Sequence, residues 1–242
     1  MLDVVSFNVE EVFTTRLLGS SPADPEVYTN FIASKRAELE ERRKKFAERH
    51  GTPPPAPLPG TVEEELETLP DEESKMTVFH NDLGKTTEEG TPGKGVFLYD
   101  YQVQGFYKEA AEVLVSLHGI LQPRSKLDNF LMVTPRRVYI TDDQGVVLTR
   151  PDGTLERPLK AMTMQGPRVS LACSTLINPG RRIKYTCEFL PFIKSGRGKE
   201  GKEVNLEEFV SLLLSYGPRK GRGQWRNGGN GRFRATFSLV KK

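Results

Sequence analysis

The sequence predicts an α+β protein: one antiparallel sheet carrying two core helices, elaborated by hairpins and interrupted by a long insertion after the first strand. Three observations predict it. Runs rich in β-branched and aromatic residues recur along the chain, at Val4–Val12, Val96–Val103, Phe130–Ile140, Val169–Ser174, Arg181–Phe192 and Arg232–Val240. Only Gly105–Leu117 and Asn205–Ser215 combine helical spacing with enough apolar residues to cover a sheet. Residues 20–95, in contrast, are charged and proline-rich and lack core-forming periodicity. The resulting order, β, insertion, β-α, several strands, α, loop, β, is that of a ferredoxin-like arrangement.

Each element has its own warrant. Val4–Val12 alternates loosely and opens the core. Gly19, Pro22 and Pro25 then force a loop, in which Asp24 can cap a short helix entering at Pro25. Ser34–His50 carries Glu and Lys at helical spacings, Glu41 and Lys45 among them, and reads as an exposed helix held by local ion pairs. Gly51–Gly60 has five prolines and is an extended connector. Residues 20–95 are therefore expected to form one mobile insertion in a core built from 1–19 and 96–242. Val96–Val103 is a strand and Gly105–Leu117 a helix with Phe106, Ala110, Val113, Leu114 and Leu117 on one face. Pro135 breaks the next strand, and Gln144-Gly145 and Asp152-Gly153 turn a hairpin around Val146–Leu148. Val169–Ser174 and Arg181–Phe192 read as a pair turned at Asn178-Pro179-Gly180. Asn205 caps the second helix, with Glu207 and Glu208 in its first turn.

Charge is split along the chain. The 242 residues carry a net charge of +3, yet residues 1–122 hold 12 Lys/Arg against 22 Asp/Glu, and residues 123–242 hold 23 against 10. Such asymmetry suits a basic face for a polyanion and an acidic part that shields it. The two cysteines, Cys173 and Cys187, have no metal-ligand spacing and no histidine cluster beside them, so no metal or small cofactor is implied. Both are expected reduced, in a cytoplasmic protein. No apolar run approaches the roughly 20 residues a membrane span needs, and with Asp3 so near the first residue no leader is expected.

The segment most informative about function is Gly217–Arg234, GPRKGRGQWRNGGNGRFR. It holds six glycines, six Lys or Arg, one Trp, one Phe and no acid. Glycine permits positive φ and close backbone approach. Arginines hold phosphates and stack on bases, and Trp225 offers a flat face for the same purpose. The reading is a flexible cationic loop lying along a single strand. Lys220, Arg222, Arg226 and Arg232 would meet phosphates, Trp225 would stack, Asn227 would add polar contact, and Gly221, Gly223, Gly228, Gly229 and Gly231 would allow close approach. Gly196–Gly201 is a second glycine/basic run that could touch backbone.

A helix, this loop and a final strand together resemble the RAMP superfamily, the RRM-like RNA-binding subunits and processing nucleases of CRISPR systems. A second segment, FLYDYQVQGFYKEAAEVL at 97–114, resembles the helix start that opens on guide RNA in backbone-forming members; Gly105 and Lys108 stand at the corresponding places, with Gln104 where the family usually has Lys. The resemblance implies an RRM-like domain binding single-stranded RNA or DNA, assembly as repeated subunits or within a larger ribonucleoprotein, and a thumb-like role for 20–95. The chain also resembles small proteins encoded by bacterial phages and prophages, through LLGSSPADPEVYxxFIASK and GQWRNxGxGRF, and that likeness brings no activity with it.

Two alternatives stay open. Nuclease members of the superfamily use a histidine, and His80, with Asp82 nearby in sequence, is the catalytic candidate here. Other members use an Asp in the loop after the first strand, where Asp24 stands. A non-catalytic assembly protein, its basic loop meeting an acidic partner, is the other.

Overall fold

The computed structural model describes residues 4–30, 34, 41, 44–45, 48, 61–70, 76–87, 90–118, 123–163, 166–190 and 204–240. The expected proline connector at 51–60, the glycine/basic run at 196–201 and most of the charged helix at 34–50, His50 included, lie outside them.

The main sheet is built on β1 (Val5–Phe13), β11 (Arg182–Phe189) and β12 (Phe233–Leu239), in the order β12-β1-β11. Beyond β11 come β7 (Leu131–Thr134) and β8 (Arg137–Thr141), which pair with opposite ends of it, then β6 (Val96–Tyr99) and β5 (His80–Asn81). Every pairing in this sheet is antiparallel. Helix α3 (Asp100–His118) follows β6 and leads toward β7. With the segment between β1 and α3 set aside as an insertion, β1, α3 and β7 form a β-α-β unit with β11 between its strands, and α5 (Leu206–Leu214) links β11 to β12 with β1 between. Two interleaved β-α-β units of this kind define a ferredoxin-like core, as the element order predicts.

One apolar layer holds it. Phe7, Val9 and Phe13 alternate inward along β1 and meet Val103, Phe106, Tyr107, Ala110 and Ala111 of α3 and Phe209, Val210 and Leu213 of α5. Asn205 caps α5 as expected, its Oδ1 accepting from the backbone N–H of Glu207 and Glu208 at 3.1 and 3.3 Å. Helix α4 (Pro123–Phe130) packs against α3.

A second sheet runs β2-β10-β4-β3, with β9 on the other side of β10. Its strands are β2 (Leu17–Leu18), β3 (Ser21–Pro22), β4 (Met76–Val78), β9 (Gly153–Thr163) and β10 (Gly166–Ile177). Here the structure departs from the sequence reading in three ways. Val169–Ser174 and Arg181–Phe192 are not a pair: the chain changes sheets at Asn178–Gly180, β10 pairing with β9 and β11 with β1. β9 was not expected as a strand, because Pro158 and three charged residues mask its alternation. The described parts of 20–95, finally, re-enter the core rather than standing apart from it. β3, β4 and β5 belong to the two sheets, and α1 (described at 25–30) and α2 (Val62–Glu67) close over them.

A buried polar network fastens this re-entrant part. The Glu65 carboxylate accepts from Tyr28 Oη at 2.7 Å, Tyr101 Oη at 3.3 Å and Arg136 at 3.0 Å. His80 lies beside it, fully buried, between Ser21 Oγ and Thr68 Oγ1, each 2.8 Å from a ring nitrogen. Thr68 gives its own proton to the Glu65 carbonyl. His80 Nδ1 therefore carries the ring proton and Nε2 accepts from Ser21.

Candidate nucleic-acid interface

The glycine-rich loop is a built structure, and its glycines mostly serve the chain's own close approaches. The loop starts with α6 (Gly217–Lys220), passes through a single 3-10 turn at Arg226–Gly228 and enters β12. Arg222 N–H donates to Gly231 O at 2.8 Å, closing the loop's base, and Gly231 N–H donates to Arg16 O at 2.6 Å, tying it to the turn after β1. Gly221, Gly223, Gly229 and Gly231 all have positive φ. At Gly231 the demand is absolute: φ is +71°, and a Cβ would stand 1.8 Å from the Arg222 carbonyl oxygen. Gly231→Ala is expected to destabilise the protein by about 1–3 kcal/mol, read as a lower urea midpoint at unchanged slope.

Arg222 is not at the surface. Its side chain, 3% exposed, runs inward to Glu11 of β1, Nε and Nη2 donating to the two carboxylate oxygens at 2.6 and 2.5 Å. Nη1 donates to the Val103 carbonyl at 2.5 Å, and the guanidinium lies over the rings of Phe106 and Phe233 at 4.7 and 5.1 Å. Tyr185 donates to Glu11 and Tyr107 to Tyr185, and burial holds both hydroxyls well above their ordinary pKa. Each of the three guanidinium nitrogens thus has an acceptor inside the fold. The expected phosphate contact at Arg222 is thus replaced by a core ion pair, because β1 places a carboxylate in phase with Phe7, Val9 and Phe13.

Gly105 and Lys108 are also displaced from their expected place. The strand ends at Tyr99, whose N–H donates to Gln102 Oε1, while Tyr101 N–H donates to Asp100 Oδ1. These side-chain acceptors start α3 five residues early. Gly105 and Lys108 lie inside the helix, where no free N–H groups await a phosphate, and Lys108 pairs with Asp128 of α4.

Other residues of the loop reach the outside of the fold. Trp225 is 44% exposed and adopts φ +48°, ψ +43°, a left-handed conformation that bulky residues rarely hold. Gly228 makes this possible. A Cβ there would stand 2.6 to 3.0 Å from three atoms of the indole, over its face. Arg226 reaches Glu109 of α3 through two bonds at 2.5 and 3.1 Å, and Lys220 approaches the same carboxylate at 3.8 Å. One acid thus serves two cations. Asn227 and Arg232 are exposed, as are Arg219 and Arg234 nearby in the chain and Arg16 in the turn after β1, and among the described residues none of these four arginines has an ion-pair partner. The Arg232 guanidinium lies near Gly229, about 3.8 Å from where its Cβ would be.

Sequence reasoning missed Arg157. It reaches the loop from β9, with its guanidinium over the Trp225 ring at 4.8 Å. An unassigned strand gave no signal for it.

The catalytic candidates are occupied otherwise. His80 is fully buried, and burial, with the charges of Arg137, Lys85 and Arg136, pushes its pKa down to about 3. Asp82 does not touch it: that carboxylate accepts from Tyr139 at 2.6 Å, Gly95 N–H at 2.9 Å and Arg137 at 3.0 Å. Asp24 accepts from the N–H groups of Glu26 and Val27 at 2.9 and 3.2 Å, the geometry of a helix cap. Among the described residues no group of His, Cys, Asp and Glu is placed to hold a metal ion, and no helix is long and apolar enough to cross a membrane.

The fold and surface define a ferredoxin-like α+β protein with a basic, tryptophan-bearing loop at one end of the sheet. No family model matches the chain, and no curated protein does. Among solved structures it is similar to a chain of the type III-B Cmr-beta complex bound to cognate target RNA, at 9% identity and TM-score 0.44. That alignment covers 98% of this chain and 61% of the other, so this chain spans about three fifths of its length. It is similar too to a chain of a type IV-B CRISPR complex, at 9% identity and TM-score 0.43, covering 96% and 90%.

Proposed function

We propose that this chain binds single-stranded nucleic acid, RNA in preference to DNA, as an RRM-derived subunit of RAMP type within a larger ribonucleoprotein assembly. The observation that carries the reading is the surface of the Trp225 loop: an exposed indole held in a left-handed conformation, on a loop that also carries Lys220, Arg226, Asn227 and Arg232, with Glu109 of α3 paired to two of those cations. Aromatic faces stack on bases of any sequence, and cations follow the backbone. Arg222 supports this surface from below, by fixing the loop to β1. A phage or prophage setting, and assembly as repeated subunits, belong to the same reading.

The test is fluorescence anisotropy with labelled single-stranded RNA, single-stranded DNA and duplex across a salt series. Tight single-strand binding that weakens steeply with salt is expected. Lys220→Gln/Arg226→Gln/Arg232→Gln should lower the log–log salt slope by roughly 2, at about 0.7 per lost phosphate contact, with the circular dichroism spectrum unchanged. No binding at low salt removes the reading.

A non-catalytic assembly role is the second reading. Val169 and Leu171 favour it: they share one face of β10, at 64% and 66% exposure, where a two-stranded ribbon has nothing to bury them. Salt-sensitive oligomers free of nucleic acid would point there.

A further inference from the structure

We propose that Arg157 is a gate on the stacking platform: it occupies the Trp225 ring in the free protein and yields that place to an incoming base, its guanidinium then taking the adjoining phosphate. The proposal rests on the nucleic-acid reading above and adds a residue and a sequence of events to it.

Four observations carry it. The guanidinium stands 4.8 Å from the ring centroid, in the position a base would take. Its Nε and Nη1 are buried and have no hydrogen-bond partner among the described residues. Trp225 is held out from the core in a left-handed conformation. Arg157 belongs to β9, a strand of the second sheet, and Trp225 to the loop before β12, so the two side chains come from different elements and only the Arg157 side chain has to move to uncover the ring.

The physical argument follows from what each partner gains. A guanidinium over an indole is attracted by the ring's negative face, an interaction that strengthens as the group is shielded from water. Its buried N–H groups forgo hydrogen bonds, which opposes that gain. A base stacks on the same face with more overlap. Once displaced, the planar fork recovers its donors by meeting a phosphate, the geometry it matches best. The exchange therefore replaces a cation–π contact and unmet donors with a base stack and a charged hydrogen-bonded pair. Only an unpaired strand can present a free base face, so the gate opens for single strands and not for duplex.

The chain has one tryptophan, so intrinsic emission reports on this ring alone. The experiment titrates the full chain with oligouridylate and with an RNA duplex, following Trp225 emission and, in parallel, the anisotropy of labelled oligouridylate. Arg157→Ala and Arg157→Lys are compared with wild type. Single strands should quench Trp225 and duplex should not. Arg157→Ala should weaken oligouridylate binding several-fold and lower the salt slope by about 0.7, one phosphate contact. Arg157→Lys should keep the slope. In both free variants acrylamide should quench Trp225 more readily than in wild type, because the ring is uncovered.

Oligouridylate binding by anisotropy with unchanged Trp225 emission overturns the gate and leaves the nucleic-acid reading standing. So does equal quenching by duplex, or an Arg157→Ala variant with wild-type affinity and slope. Absence of any anisotropy change overturns the underlying reading itself.

Discussion

Arg222→Ala is expected to unfold the protein rather than to release a ligand. Its guanidinium is the only cation facing Glu11 among the described residues, and the carboxylate is fully buried between β1, α3 and β12. Removing one partner of a buried, hydrogen-bonded pair leaves an uncompensated charge and costs about 3–5 kcal/mol. That is a large share of the roughly 5–15 kcal/mol holding a typical domain. The measurement is urea denaturation followed by far-ultraviolet circular dichroism. Glu11→Gln/Arg222→Met, which removes both charges, should recover much of the loss, since well-packed neutral replacements of buried pairs are often near neutral. A single variant as stable as wild type but unable to bind RNA would return Arg222 to the ligand. Any binding study that includes Arg222→Ala consequently needs a folding control.

Acid should weaken the protein earlier than its carboxylates alone dictate. His80 is neutral in the fold with its pKa lowered to about 3, against about 6.5 when exposed. Its contribution is complete above pH 6.5 and is lost as the pH falls from there toward 3, because the unfolded chain takes up a proton that the folded chain refuses. The slope approaches about 1.4 kcal/mol per pH unit well below pH 6.5, so the loss between pH 6.5 and 5 is about 1–2 kcal/mol. Urea midpoints over that interval should fall in wild type and stay level in His80→Gln, whose amide carries no titrating group. Parallel curves for the two proteins would show that His80 does not remain neutral in the fold.

The two networks also explain what the sequence could and could not disclose. The α+β order was legible because core helices and alternating strands carry their own periodicity: Asn205 before LEEFVSLLL and Phe7/Val9/Phe13 are signals that need no tertiary knowledge. The exposed part of the loop was legible in the same way, Trp225 and Arg232 being obvious from composition. Arg222 was not. Six cations in a glycine-rich run look alike, and only Glu11, standing in an inward register 211 residues away, says which of them turns inward. That signal was present as a charge on an apolar stripe, but it named no partner. Arg157 and β9 were hidden for the opposite reason: a strand with Pro158 and charged neighbours lacks the alternation by which strands are read. Residues 20–95 look detached because their apolar residues are sparse, yet Tyr28, Val78 and Phe79 are each buried.

The Glu11–Arg222 pair has a consequence for synthesis. Residue 11 leaves the ribosome long before residue 222, and β1 must wait for β12 to cover its open edge. Until then a strand edge and an unneutralised inward carboxylate stand exposed, the condition in which nascent chains associate wrongly or call on chaperones. Stalled products that stop short of Arg222 would lack both the staple and the loop it anchors. The pair thereby makes the binding surface a late event in folding, available only after the first strand and the last have met.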